Sequence, residues 1–158
     1  MPCDEMRITL NSLDREDRGE GGVYLSLTGT SAEDADSGQV GRGNRASGVI
    51  AFHRPAGAEA TAGKNPVSHV GKIYNVLAHQ LAQEILATID GVEAVSLWIL
   101  NQIGQPIDSP TLVHVQITPI DIGLSPAIQR LVEDLIQGRF ARIGEFCRAL
   151  AHGCYRVC

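Results

Sequence analysis

Residues 66–100, PVSHVGKIYNVLAHQLAQEILATIDGVEAVSLWIL, decide the fold of this chain. Pro66 suits the first turn of a helix, where its missing N–H would have no partner anyway. Val70, Ile73, Leu77, Leu81 and Ile85 then recur at spacings of three or four. They form one continuous apolar stripe on a helix. Asp90-Gly91 ends it, and residues 92–100 read as a buried strand. Residues 112–118 (Leu-Val-His-Val-Gln-Ile-Thr) alternate apolar and polar side chains, the period of a half-buried strand. Between the two, Gly104-Gln-Pro106-Ile-Asp108-Ser-Pro110 is loop chemistry.

Working outward, Ser125-Pro126 opens a second helix to about Gln137, and another helical piece covers about Ala141 to Ala151. Tyr155–Cys158 reads as a terminal strand. Upstream, residues 6–11 and 22–28 alternate as strands do, with the charged, Gly-rich run from Asp14 to Gly22 as the turn between them. Residues 29–47 are the least hydrophobic part of the chain and read as an ordered polar loop, because apolar segments flank them. Residues 48–52 (Gly-Val-Ile-Ala-Phe) read as a short buried strand, and Arg54 to Asn65 as a second loop rich in Gly and Ala. The expected class is α+β, with residues 1–158 as a single compact unit and residues 1–5 as a poorly ordered start.

Composition narrows the function. The chain has 158 residues, 44% hydrophobic and 20% charged, as expected of a globular domain with a core. Aromatic residues make up only 4%, so the core must rest on aliphatic side chains. The net charge of -5 argues against a general nucleic-acid binder but leaves room for a local basic pocket. The acidic and basic first twenty residues contain no apolar signal region, and no stretch approaches a membrane span. A cytoplasmic protein is expected. Cys3, Cys147, Cys154 and Cys158 form no Cys-x-x-Cys pair and read as free thiols. Cys147, His152, Cys154 and Cys158 could hold zinc, but their spacing fits no familiar zinc module. His79 and His114 read as packing or surface residues.

Two nucleotide motifs are nearly matched and fail. From Gly57 to Gly63-Lys64, five residues separate the glycines where a P-loop has four, and Asn65 replaces its Ser or Thr. Gly41-Arg42-Gly43-Asn44-Arg45-Ala46 has dinucleotide-type spacing but precedes a strand where that motif needs a helix. The loops are still chemically unusual. Asp34, Asp36, Arg42, Arg45, His53, Arg54, Lys64, His69 and Lys72 lie close in sequence among glycines. Spacing alone leaves two readings open. One is a solvated charged face. The other is a polyphosphate site, with Arg forks and Lys point charges on phosphate oxygens and carboxylates for magnesium.

Longer ordered runs carry a family resemblance. They are Val23-Tyr-Leu-Ser-Leu-Thr28-Gly-Thr-Ser-Ala-Glu33, Asp36-Ser-Gly38-Gln-Val-Gly41-Arg42-Gly-Asn-Arg45, Ala62-Gly-Lys64-Asn-Pro66-Val-Ser-His69-Val-Gly-Lys72-Ile-Tyr74-Asn, and Gln102-Ile-Gly104-Gln-Pro106-Ile-Asp108-Ser-Pro110. Together they resemble the C-terminal portion of archaeal-type S-adenosylmethionine synthetases, from about residue 6 onward. The resemblance implies sheet-and-helix layers that are incomplete without the family's N-terminal half, which carries a His-Pro-Asp segment. It implies ATP and methionine as substrates, with Mg2+ and K+ as cofactors. Methionine sulfur attacks the ribose C5′ carbon and expels triphosphate, which is then cleaved to diphosphate and phosphate.

Position by position, the resemblance makes Arg42 and Lys64 phosphate contacts that act in catalysis. Asp36 is a metal and substrate-region residue, and Asp36, Gly41, Arg42, Arg45, Lys64 and His69 make up the expected cofactor-binding set. Arg45 is set against a lysine of the bacterial branch, and His69 stands one residue out of register with another. The expected partners are a second copy of the chain or a chain supplying the N-terminal half. The alternative expectation is a non-catalytic fragment, or a nucleotide- or polyphosphate-binding module, including one half of a split enzyme.

Overall fold

The computed structural model describes residues 8–10, 12–23, 25, 45–48, 51–54, 57, 59–120, 123 and 125–157. Its elements are α1 (Val70–Thr88), β1 (Val92–Leu100), β2 (Leu112–Pro119), α2 (Pro126–Ala141) and α3 (Ile143–Ala151), preceded by a short 3-10 segment at Glu16–Gly22. Helix and sheet in one body give the α+β class expected from the sequence.

The apolar stripe of α1 organises the core. Ile73, Leu77, Leu81 and Ile85 are all buried. The first half of the helix packs with Phe140, Ile143, Phe146 and Leu150 of α2 and α3. Its last turn shares a second cluster with Ile89, Val92 and Val132. Strands β1 and β2 pair antiparallel, with Val95 opposite Ile117, Leu97 opposite Val115 and Ile99 opposite Val113. These six side chains stand on one face and pack against the α1 clusters. An ion pair adds to the join between α1 and α2: Arg139 donates from Nε and Nη2 to Glu84 Oε2, at 2.8 and 2.5 Å.

Several boundaries differ from expectation. Helix α1 begins at Val70, four residues after Pro66. The side chain of Asn65 accepts from the N–H groups of Val67 and Ser68, which closes a turn before the helix starts. Strand β1 has the expected span, yet only Val92 is fully buried. Its second face, with Trp98 and Leu100, is open among the described residues, so the strand is half-buried. Helix α2 runs through Gly138 to Ala141, because Phe140 gains a buried place against Tyr74 that offsets the weak helix propensity of glycine. Ser125 caps it, accepting from Ile128 N at 3.3 Å.

Residues 155–157 form no strand. Tyr155 stacks on Phe146 with ring centroids 4.8 Å apart, and Val157 O accepts from Thr61 Oγ1. Among the described residues this tail is held by side-chain packing and by the Thr61 hydrogen bond, with no strand ladder; Cys158 lies outside the described residues.

The three upstream strands are also not found where they can be examined. Ile8 and Leu10 are 83% and 87% exposed and non-strand, Gly22 to Leu25 contributes no described strand residue, and Phe52 is 93% exposed in a bend. A strand needs a neighbour for its N–H and C=O groups. Among the described residues β1 and β2 pair only with each other. The rest of those three segments, and most of the polar loop at 29–47, lie outside the described residues. No helix among the described residues is long and apolar enough to cross a membrane.

Leu77→Ala tests the dependence of the core on α1. Leu77 is wholly buried, so removing its branched end should cost about 2–5 kcal/mol of unfolding free energy. Urea denaturation followed by circular dichroism measures it.

Candidate anion-binding site

The loop before α1 is fixed locally at several points. Ala60 and Thr61 are fully buried. Gly63 has φ +81°, a conformation open to glycine and strained for other residues. Asn65 then closes its turn, and the His69 N–H donates to Asn65 O at 3.2 Å. From within the first turn of α1, Lys72 Nζ reaches back to Lys64 O at 2.9 Å. The backbone that carries Lys64 is therefore tied to the helix that follows it.

Lys64 is the most enclosed of the expected site residues that are described. Its side chain is 4% exposed, and its Nζ lies 3.0 Å from Glu59 Oε1. His69 Nε2 lies 3.9 Å from the same oxygen. Gly71 makes the approach possible: a Cβ there would sit 3.0 Å from Glu59 Cγ and 3.0 Å from His69 Cε1. The structure thus joins Lys64 and His69 through a carboxylate that sequence reasoning did not single out. Glu59 is one acid in an Ala-rich loop, and no period or motif marks it. Its position five residues before the lysine becomes meaningful only once the loop folds back.

Arg45 shares a cavity with Glu59. The cavity, of about 340 Å³, is also lined by Arg54, Asn75 and His79, against an apolar wall that includes Leu97. Asn75 is held in place by donating from Nδ2 to Gly71 O at 2.7 Å. Arg45 Nε and His69 Nδ1 are buried with no hydrogen-bond partner. Buried polar atoms normally have one, so both mark places where a ligand or water would be favoured. Asp36, Gly41 and Arg42 lie outside the described residues.

The donor set fits an anion. A buried ammonium, a guanidinium with an unpaired N–H and an imidazole offer donors to phosphate oxygens. It does not fit magnesium, which needs several oxygen ligands. The described carboxylate here, Glu59, already faces Lys64, and the described residues contain no cluster of three or more metal-ligating side chains. Of the cysteines, Cys147 is half-buried, with burial pushing its thiol pKa up, and Cys154 is exposed. Helix α1 starts six residues past Lys64, where a P-loop lysine would itself open the helix.

A second tie was also missed. Tyr74 donates to Ile107 O at 2.9 Å, and Asn101 donates to Pro106 O at 2.8 Å and to Tyr74 Oη at 3.2 Å. The loop from 101 to 111 is thereby fastened to α1. Burial raises the Tyr74 phenol pKa, partly countered by the Asn101 hydrogen bond and supported by the charge of Asp108.

Fold and site together define an α+β unit that gathers cationic loops at the start of a buried helix. Its family is clear from comparison. The model of the S-adenosylmethionine synthetase (AdoMet synthetase) family matches residues 1–154, and the chain belongs to that family. It is 45% identical over 148 residues to the S-adenosylmethionine synthase of Sulfurisphaera tokodaii, covering 92% of this chain and 36% of that relative. For the Archaeoglobus fulgidus enzyme of the same name the figures are 43% over 153 residues, 97% and 38%. For that of Methanothermobacter marburgensis they are 51% over 112 residues, 71% and 28%. The chain thus spans about a third of the length of these curated relatives.

His79, on the cavity wall, gives a pH signature. Burial pushes its imidazole below the ordinary 6.5. Between the lowered folded value and 6.5 the unfolded chain binds more protons, so stability should rise with pH across that window. Between pH 7.5 and 5 the denaturation midpoint of the wild type should fall more steeply than that of His79→Gln. A constant difference at all pH values would show that His79 does not contribute this dependence.

Proposed function

We propose that this chain is the triphosphate-binding portion of an S-adenosylmethionine-forming enzyme that uses ATP and methionine. In this reading residues 1–158 act as one unit, within the layered fold of the family. The observation that carries the reading is the buried Lys64 ammonium, poised on Glu59 beside His69 in a chain of this family. The leaving triphosphate carries about four negative charges. One cation about 4 Å from one phosphate charge contributes roughly 4 kcal/mol at an effective dielectric near 20. A lysine already stripped of most water meets that charge with little reorganisation.

Lys64 and Arg42 take the catalytic roles as phosphate donors, and Arg45 and His69 flank them. Asp36 and Gly41 belong to the segment that precedes Arg42. Mg2+ and K+ belong to this reading by family resemblance, with Asp36 as the metal residue. When bound, magnesium would neutralise phosphate charge; the residues around Lys64 orient the anion and shield it from water. A cytoplasmic location, a homo-oligomer and a partner supplying the N-terminal half belong to the same reading.

One observation favours a second reading, a non-catalytic polyphosphate-binding module or half of a split enzyme. It is that the Lys64–Glu59 pair and the unpartnered Arg45 Nε offer donors for an anion within this chain itself.

Two measurements test the proposal. The isolated chain, given ATP, methionine, magnesium and potassium, should form no S-adenosylmethionine above background by chromatography. Turnover near that of a whole synthase would discard the reading that this chain supplies only a portion of the site. In calorimetry, tripolyphosphate should bind weakly. Arg42→Ala and Lys64→Ala should each lower affinity at least about tenfold, or ~1.4 kcal/mol. Added salt should weaken the wild type further. Equal affinities in all three proteins would mean that these cations are only a charged surface.

A further inference from the structure

We propose that Glu59 is a positioning residue of the phosphate site: it holds the Lys64 ammonium in place beside His69 and yields it to an entering phosphate group. The second half of this statement rests on the proposed function; the first stands on geometry alone.

The burial of the two partners is unequal. The Lys64 side chain is 4% exposed and that of Glu59 is 40% exposed. An ammonium taken out of water is costly to keep charged without a counter-charge and readily gives up its proton. Glu59 supplies that counter-charge 3.0 Å away. Its own carboxylate remains partly in water, so it can turn outward at small cost. An anion arriving from solvent would meet the Glu59 side of the pair first, and a multiply charged phosphate chain competes well against one carboxylate.

The groups around the pair fit an exchange of this kind. His69 Nε2, 3.9 Å from Glu59 Oε1, would face the incoming anion as the carboxylate leaves. Lys72 Nζ sits on the Lys64 carbonyl and holds the backbone while the side-chain partner changes. Gly71 keeps the space beside Glu59 Cγ and Cδ clear, where a Cβ would intrude to 3.0 and 3.1 Å.

The test uses the whole chain in wild-type, Glu59→Gln and Glu59→Asp forms. Circular dichroism first establishes that each is folded. Without ligand, the Lys64 side-chain NMR signals report its protonation as pH is raised. The wild-type midpoint is the reference. Glu59→Gln should move the midpoint down by about one unit or more, and Glu59→Asp should restore most of it. An unchanged midpoint in Glu59→Gln overturns the proposal.

Tripolyphosphate calorimetry on either side of that lowered midpoint then separates holding from mere structure. Glu59→Gln should bind at least as tightly as wild type at the acid side, where its competitor is gone. It should bind about tenfold more weakly at the alkaline side. A loss equal at both pH values would mean that Glu59 only supports the loop, and would overturn the proposal. If the wild type binds no tripolyphosphate, the functional reading and the release step both fall, while the Lys64 midpoint still decides whether Glu59 holds the lysine.

Discussion

Helix α1 lies with Ile73, Leu77, Leu81 and Ile85 against the sheet and against α2 and α3, and this burial fixes where the rest of the chain can go. Its first turn receives the loop that carries Glu59 and Lys64, through Lys72 and Gly71. One turn further, Tyr74 fastens the loop from 101 to 111. At its far end, Gly91 at φ +80° turns the chain into β1. Four buried aliphatic side chains thus place two loops and a strand. Rotating the helix by one residue would turn Gly71 away from Glu59 and put a side chain in the carboxylate's space.

The electrostatics follow from that geometry. A lysine in water is a mobile, fully hydrated charge whose ion pairs contribute little. Lys64 is different because the loop folds it under, with Glu59 among the groups that take the place of water. The net charge of -5 concealed this, since a site is made by local arrangement and not by total charge. Arg45 shows the same effect on a smaller scale: its Nε is buried beside the cavity it shares with Glu59 and has no partner.

Period was the best guide in the sequence but not a sufficient one: the alternation at 6–11 and 22–28 gives no strand where it can be examined, because no partner strand is paired there among the described residues. The α1 stripe, the 92–100 strand and the alternation at 112–118 emerged with nearly the right limits, because each repeats over several turns or pleats. The helix start was placed four residues early, since Pro66 is acceptable in a first turn but Asn65 captures the preceding backbone with its side chain. The continuation of α2 past Gly138 depended on a distant pocket for Phe140, which no local pattern reveals. The site was legible in part. Resemblance marked Lys64 and His69, and the structure brings both to Glu59. Glu59 itself carried no signal, because its meaning lies in a contact between loop residues of no fixed spacing. For Asp36, Gly41 and Arg42, outside the described residues, the resemblance is the support.

Helix α1 also explains how a core and a site can share one element. Ile73, Leu77 and Leu81 follow one another at steps of four on the core side. Gly71, Asn75, Ala78 and Ala82 follow at steps of three or four on an adjoining stripe, one turned to Glu59 and three lining the cavity. The second stripe is built from small residues, apart from the amide that is held to Gly71. Large side chains there would improve packing and close the space in which Glu59 and Arg45 stand. The core stripe maximises apolar burial, and the neighbouring stripe forgoes it. The small side chains at Ala78 and Ala82 are what leave Glu59 and Arg45 a shared space.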